Sequence, residues 1–501
     1  MSLGTLASLS YFIPEIILVF TIMSVVTADL ILKNRRSERR LVIVMLSLLG
    51  LLFAGYYAVQ LSGSPEGSLF SQMVAQDGFG NFLRIIFIAT AIFVLLFTVP
   101  SKELARVPHG ELLALLLTVT VSLIWMANSI NLLMIYLTLE TVSVASYIMV
   151  GYLKDERPSN EASLKYILFG AVSTGTMLFG MSLLFGLTGS LDIYSIQAAL
   201  AAQDATQSGG ALMFIVVLVL AGIGFKMAAV PFHFWCPDVY TGAPTPVTAL
   251  LSIGPKVAGF AVLVRFFVGG MSQAGGDGTW QMVGGVDWQM LLIAISVVSM
   301  TVGNIAALLQ TNMKRLLAYS SIAHAGYIMM GAVVMSTDGI QAMLAYILIY
   351  LFMNLGAFLV VIIMHNGVGS FELADYAGIW RRAPILTIAM GVFLFSLMGI
   401  PPFAGFLAKW YVFAAVVSSD LAWFAVVGAI NSAIAAFYYM KVLKVMVIDG
   451  SDSPEPALPL EIHPLYGGLL LVLVVPNILG LLFLGQIDRV TELSQKLLEV
   501  M

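Results

Sequence analysis

Fourteen apolar runs, most of them about 20 residues long, divide this chain almost end to end, and only a bundle of membrane-crossing helices accommodates them. They fall near residues 11–32, 41–60, 79–99, 111–128, 131–152, 163–187 and 211–240. Seven more follow near 246–268, 288–309, 315–336, 341–364, 385–418, 421–447 and 465–485. Lipid offers the backbone no hydrogen bonds, so each crossing is expected to be a helix that satisfies its own N–H and C=O groups. Charged residues make up 10% of the chain, against about 25% in soluble domains. The opening MSLGTLASLSYFIPEIILVF lacks a positive n-region and a small-residue cleavage site, and reads as a first membrane helix rather than a signal peptide. A single cysteine, Cys236, excludes an internal disulfide and a Cys-based metal site, and no metal is expected. No basic patch interleaved with aromatics points to nucleic acid.

Lys and Arg set the orientation. The loop after span 1, KNRRSERR, holds five of them and is placed in the cytoplasm. Alternation from there puts Lys102, Arg106, Lys154, Arg157, Lys165, Lys314, Arg315, Arg381, Arg382, Lys441 and Lys444 on the same side. Arg84, Arg265, Arg489 and Lys496 fall outside. Lys226, Lys256 and Lys409 are left within spans, and both termini come out on the periplasmic face of a bacterial plasma (inner) membrane. The outer connections 62–77 and 187–210 lack Lys and Arg, and the second is expected to hold a short interfacial helix around Ile193 to Ala202. The inner connection 449–464 is acidic and Pro-rich and reads as a surface linker.

Two of the runs are too long for one straight crossing, and each contains breakers. Run 211–240 carries Pro231, and run 385–418 carries Pro401, Pro402 and Gly405, so both are expected to be discontinuous helices. Spans 7 and 12 are five apart, and an odd offset reverses direction in the membrane. This parity suggests two inverted five-helix repeats, helices 4–8 (111–268) and helices 9–13 (288–447). They would follow an N-terminal unit of helices 1–3 (1–110) and precede helix 14 with its tail (465–501), all within a single all-α membrane domain, 1–501.

Chemistry is expected at ionisable groups inside spans, where a charge costs several kcal/mol, roughly 3 on insertion scales. Lys226 and Lys256 lie in AGIGFKMAAVPFHFWCPDVYTGAPTPVTALLSIGPKVAGF (221–260), and Lys409 follows the second break. Glu140 sits at the centre of span 5 and is expected to pair with Lys226, each lessening the other's desolvation cost. The alternatives are lysines that snorkel to the interface and an ion pair that only holds spans 5 and 7 together. His233 and His324 are candidate proton-relay members, or hydrogen-bonded core histidines. His109, His365 and His463 fall in or near inner connections and carry no expected role. Intraspan Asn304, Ser320, Ser321, Asn354 and Asn431 either line water paths or bond between helices, and the second is expected of each. No nucleotide, flavin, haem or iron–sulfur signature is present.

Four stretches together resemble the antiporter-like subunits of respiratory complex I and their relatives in Mrp cation/proton antiporters. They are YLTLETVSVASYIMVGY, the 221–260 stretch, NMKRLLAYSSIAHAGY and MGIPPFAGFLAKWYVF. The resemblance implies that Glu140, Lys226, Lys256 and Lys409 carry proton translocation. It also implies a translocase subunit, partnered by other membrane-arm subunits, with NADH, flavin (FMN), iron–sulfur clusters and quinone held elsewhere in the complex. Among family members, one class has a glutamate at the position of Lys409, and another continues into a lateral amphipathic helix. This chain is similar to a third class, which has neither feature. A Na⁺(K⁺)/H⁺ antiporter subunit and a mainly structural membrane-arm subunit stay open as alternatives.

Overall fold

The computed structural model describes residues 4–202, 205–276, 278–450 and 459–494. Lys496 and residues 451–458 of the acidic inner connection lie outside them. After one-turn α1 (Thr5–Ser8) come α2 (Ile13–Ile31), α3 (Arg36–Gln60), α4 (Gly78–Thr98), α5 (His109–Asn128), α6 (Leu132–Val150) and α7 (Arg157–Thr188). Next are α8 (Ile193–Ala202), α9 (Ala205–Met227), α10 (Trp235–Gly242), α11 (Thr245–Val264), α12 (Trp288–Leu308), α13 (Met313–Val333) and α14 (Thr337–Val368). The last are α15 (Pro384–Met398), α16 (Ala404–Ser418), α17 (Ala422–Val447), α18 (Pro464–Leu479) and α19 (Leu484–Ser494). Among the described residues, 12 helices are long and apolar enough to cross a membrane, or up to 14 if each of two bent pairs counts as one.

Burial sorts these helices into a centre and a shell. Every residue of α11 is buried, and α13 and α14 lie nearly as deep, whereas α2, α3 and α7 present long apolar faces outward. Apolar surface facing lipid carries no hydrophobic penalty, so these exposed leucines and phenylalanines are expected. Polar groups concentrate instead at the central helices.

Two expected connections differ from plain loops. Residues 62–77 fold into a hairpin of β1 (Gly67–Leu69) and β2 (Val74–Gln76), and the chain after α11 forms another from β3 (Ser272–Ala274) and β4 (Trp280–Met282). The interfacial helix is present as α8. The run 465–485 is not one straight helix. α18 carries Pro476 in its last turn, where a backbone donor is lost, and the chain turns by 94° into α19.

Several features recur at matching places. α6 and α13 are N-capped by Asn131 and Asn312, whose side chains accept from Leu133 N and from Lys314 N and Arg315 N. The same two asparagines form isolated antiparallel bridges to Asp192 and Glu372. α7 and α14 each have 32 residues, and each is closed by a left-handed glycine, Gly189 (φ 71°) and Gly369 (φ 80°).

Candidate functional site

Both expected breaks are present, and both begin the same way. α9 ends in a Schellman motif, with Ala229 N donating to Gly224 O at 2.9 Å, Ala228 N to Phe225 O at 3.1 Å, and Ala228 at φ 56°. α15 ends in another, with Ile400 N on Phe395 O at 3.2 Å, Gly399 N on Ser396 O at 2.9 Å, and Gly399 at φ 83°. Pro231 and the Pro401–Pro402 pair then bar the helix from resuming at once. Gly405 is not part of the break. It lies in the first turn of α16, where a Cβ would meet Ser396 O at 1.7 Å, so its role is close approach of the two half-helices.

The three lysines lie within their spans as expected, Lys226 and Lys409 beside the broken ends and Lys256 inside α11. Lys226 occupies the last turn of α9 and is fully buried (0% exposed). Among the described residues its Nζ has no hydrogen-bond partner, and it lies 5.6 Å from the Phe225 ring centroid. Lys409, in the second turn of α16, reaches back across its break. Its Nζ donates to Met398 O at 2.8 Å and to Ser432 Oγ at 2.7 Å, and lies 4.7 Å from the Tyr327 ring centroid. Met398 is the last residue of α15, so its carbonyl lacks an intrahelical partner and stands at the negative end of the helix dipole.

Lys256 follows Pro255 within α11, and its Nζ donates to Ser321 Oγ of α13 at 2.7 Å. One turn along α13, His324 is held by two phenols, Tyr346 OH at 2.8 Å from Nδ1 and Tyr439 OH at 3.3 Å from Nε2. Tyr439 OH in turn lies 2.5 Å from Ser320 Oγ. The charges of Lys256 and Lys409 both reach His324. Lys256, Ser321, His324 and Tyr439 are thus gathered where α11, α13 and α17 meet, with Lys226 packed beside Gly259 of α11 and the Lys409 charge within reach of His324. His233 is buried beside the first break, its Nδ1 unbonded to protein, and it lies within reach of the Lys256 charge.

The Glu140–Lys226 pair is not a contact pair. Among the described residues no ion pair within 4.0 Å joins them, although the carboxylate's field reaches the lysine. Glu140 is half-buried beside an outward α6 face that exposes Leu133, Leu137 and Val144. Its Oε1 is nonetheless buried, and among the described residues it has no hydrogen-bond partner.

Asparagines behave as expected. Asn304 Nδ2 donates to Asn431 O at 3.1 Å and Asn354 Nδ2 to Ser252 Oγ at 2.6 Å, between helices. Ser321 also bonds between helices, accepting from the Lys256 ammonium of α11. Sequence reading missed Tyr346, Tyr439, Ser432 and Tyr327. Hydroxyls inside apolar spans were the available signal, but nothing along the chain says which one meets a lysine. Asp238 was also missed. It pins α10 by accepting from Lys165 Nζ of α7 at 2.7 Å and from Arg315 Nη1 of α13 at 2.6 Å.

Residues 129–435 match the family described as NADH:quinone oxidoreductase/Mrp antiporter, transmembrane. The chain is 44% identical over 491 residues to NADH-quinone oxidoreductase subunit N 2 of Sorangium cellulosum, covering 95% of each. It is 40% identical over 488 residues to NADH-quinone oxidoreductase subunit N of an Anaeromyxobacter species, covering 94% of each. Among solved structures it resembles a chain of respiratory complex I from Thermus thermophilus with bound aureothin. That match has a TM-score of 0.77 and 28% identity, and covers 95% of this chain and 98% of the other.

Proposed function

The chain belongs to the NADH:quinone oxidoreductase/Mrp antiporter family, and from that membership we propose that it is the N-type, proton-translocating membrane-arm subunit of a bacterial NADH:quinone oxidoreductase. It is one part of a translocase and assembles with the other membrane-arm subunits in the plasma membrane. The cofactors NADH, flavin and iron–sulfur clusters, and the quinone, are assigned to other chains.

The observation that carries this reading is the buried polar row from Lys226 to Lys409. A Lys ammonium can hold or release a proton, and hydroxyl and imidazole groups between ammonium groups are the means of passing one on. Glu140, on the outer face of α6, is positioned to sense a charge change in a neighbouring subunit. A weaker field at Lys226 then favours transfer of its proton toward Lys256, by way of water and His233. Ser321, His324 and Tyr439 continue the route to Lys409, which exchanges with the opposite half-channel.

The same reading assigns 14 spans, both termini periplasmic, and two inverted repeats, 111–268 and 288–447, flanked by 1–110 and 465–501. Matching Asn caps, matching bridges, equal 32-residue helices and paired Schellman breaks support the repeats. Count nine residues past each cap and the first repeat has Glu140 where the second has Ser321.

Lys226→Ala in native membranes tests the proposal, with assembly checked and NADH-driven quinone reduction and proton pumping measured together. Loss of both in an assembled complex is the expected result. Normal electron transfer with normal pumping would make the buried lysine structural and end this assignment.

A further inference from the structure

We propose that a cavity at the membrane surface, between the ends of α2, α3 and α5, binds the headgroup of an anionic glycerophospholipid. The cavity has a volume of about 710 Å³ and lies where three spans and the 99–108 connection converge at the same face. Its cationic lining comes from Arg39, Arg40 and Arg106.

These three guanidinium groups are not equivalent. Arg39 is already neutralised by a bidentate pair with Asp29, at 2.7 and 2.6 Å. Gly110 makes that pair possible, since a Cβ there would meet Asp29 Oδ1 at 2.0 Å. Arg40 spends one N–H on Val99 O and keeps the rest. Arg106 is exposed and makes no ion pair among the described residues. Two cations therefore remain for an anion, with Glu111 the further acidic group whose field reaches the Arg39 end.

His109 forms a wall of the same cavity and is only 7% exposed. Its Nδ1 lies 3.1 Å from Val107 O, and a carbonyl only accepts, so Nδ1 carries the hydrogen. Its Nε2 is buried away from the opening. The groups left for a ligand are therefore the Arg40 and Arg106 guanidinium groups, and the complementary ligand presents an anionic phosphate to them. A phosphodiester headgroup with a net negative charge has that chemistry.

The surroundings favour a lipid over free phosphate. Leu30 (69% exposed), Ile31 (76%) and Leu41 (65%) turn outward next to Asp29, Arg39 and Arg40. Acyl chains can run down those faces while the headgroup stays in the cavity. Basic pockets between helices at a membrane surface are known traps for anionic headgroups.

The test uses the intact complex in vesicles containing photoactivatable phosphatidylglycerol or phosphatidylcholine with the same acyl chains, and maps the labelled peptides. Strong phosphatidylglycerol labelling at the α2–α3 corner is expected, with little from phosphatidylcholine. Arg106→Gln, which removes an exposed side chain and no protein contact, is expected to cut that labelling roughly fivefold, the worth of one surface cation. Equal labelling by both lipids, or labelling indifferent to Arg106→Gln, would overturn the proposal. Loss of labelling in excess inorganic phosphate would also overturn it, by assigning the cavity to free phosphate.

Discussion

The two broken spans close their first halves with the same backbone motif and then satisfy the exposed helix end with different chemistry. At the first break, Trp235 of α10 reaches back and donates its indole Nε1–H to Phe225 O at 3.0 Å. At the second, Lys409 of α16 donates its ammonium to Met398 O. A neutral donor thus does at one break what a cation does at the other. Lys226 is left with no backbone carbonyl to serve, and the Glu140 carboxylate reaches it only through its field. Lys409 is tied to a helix C-terminus, whose dipole favours the cation. The contrast extends to the two Asn-capped helices. Nine residues past the Asn131 cap of α6 stands Glu140, and nine past the Asn312 cap of α13 stands Ser321, so α13 holds no carboxylate at that point, and Lys409 is anchored on carbonyl and hydroxyl oxygens instead.

Substituting each lysine by methionine should separate these roles most sharply. Lys226→Met is expected to cut coupled turnover roughly 100-fold or more, about 2.7 kcal/mol of barrier. The thermal midpoint of the complex should hold or rise, because a buried cation is removed and no protein hydrogen bond is lost. Lys409→Met should lower turnover and also the thermal midpoint, since Met398 O and Ser432 Oγ lose a charged donor, worth ~1–3 kcal/mol. Equal stability losses in both variants would erase the distinction.

Trp235→Phe is a smaller change at the first break. It should cost about 1 kcal/mol, the net value of one hydrogen bond, while proton pumping per electron stays unchanged. A fall in that ratio would mean that the indole does more than cap α9. The mildest effect is expected from Ser432→Ala, which leaves Lys409 on Met398 O and should change the thermal midpoint by well under the effect of Lys409→Met. If instead Ser432→Ala matched it, the hydroxyl and not the helix end would be the anchor.

How much of this was legible before the fold was known depends on whether a feature is local. Breaks were legible because Pro231, Pro401 and Pro402 act on their own backbone within a turn. α8 was legible because an apolar stretch bounded by polar residues sits between two spans. Gly405 was misassigned because a glycine signals either a turn or a close approach, and only the Ser396 carbonyl at its back decides which. The expected Glu140–Lys226 contact failed for a related reason. Opposite charges in neighbouring spans attract, but the rotation of α6 about its axis is set by packing, and that rotation leaves Glu140 half-buried and out of ion-pair reach of Lys226.

The sequence by itself determined the class of fold, the order of the spans, the two breaks and the three buried lysines, because the membrane imposes length and polarity on every crossing segment. Only the tertiary structure decided what each lysine touches. Lys256 meets Ser321 across 65 residues of chain, and Asp238 joins Lys165 and Arg315 from helices on either side of it. Helical periodicity says which residues share a face of one helix. It carries no information about which face of which other helix comes opposite, and in lipid that choice rests on packing and on the few polar groups that must find partners.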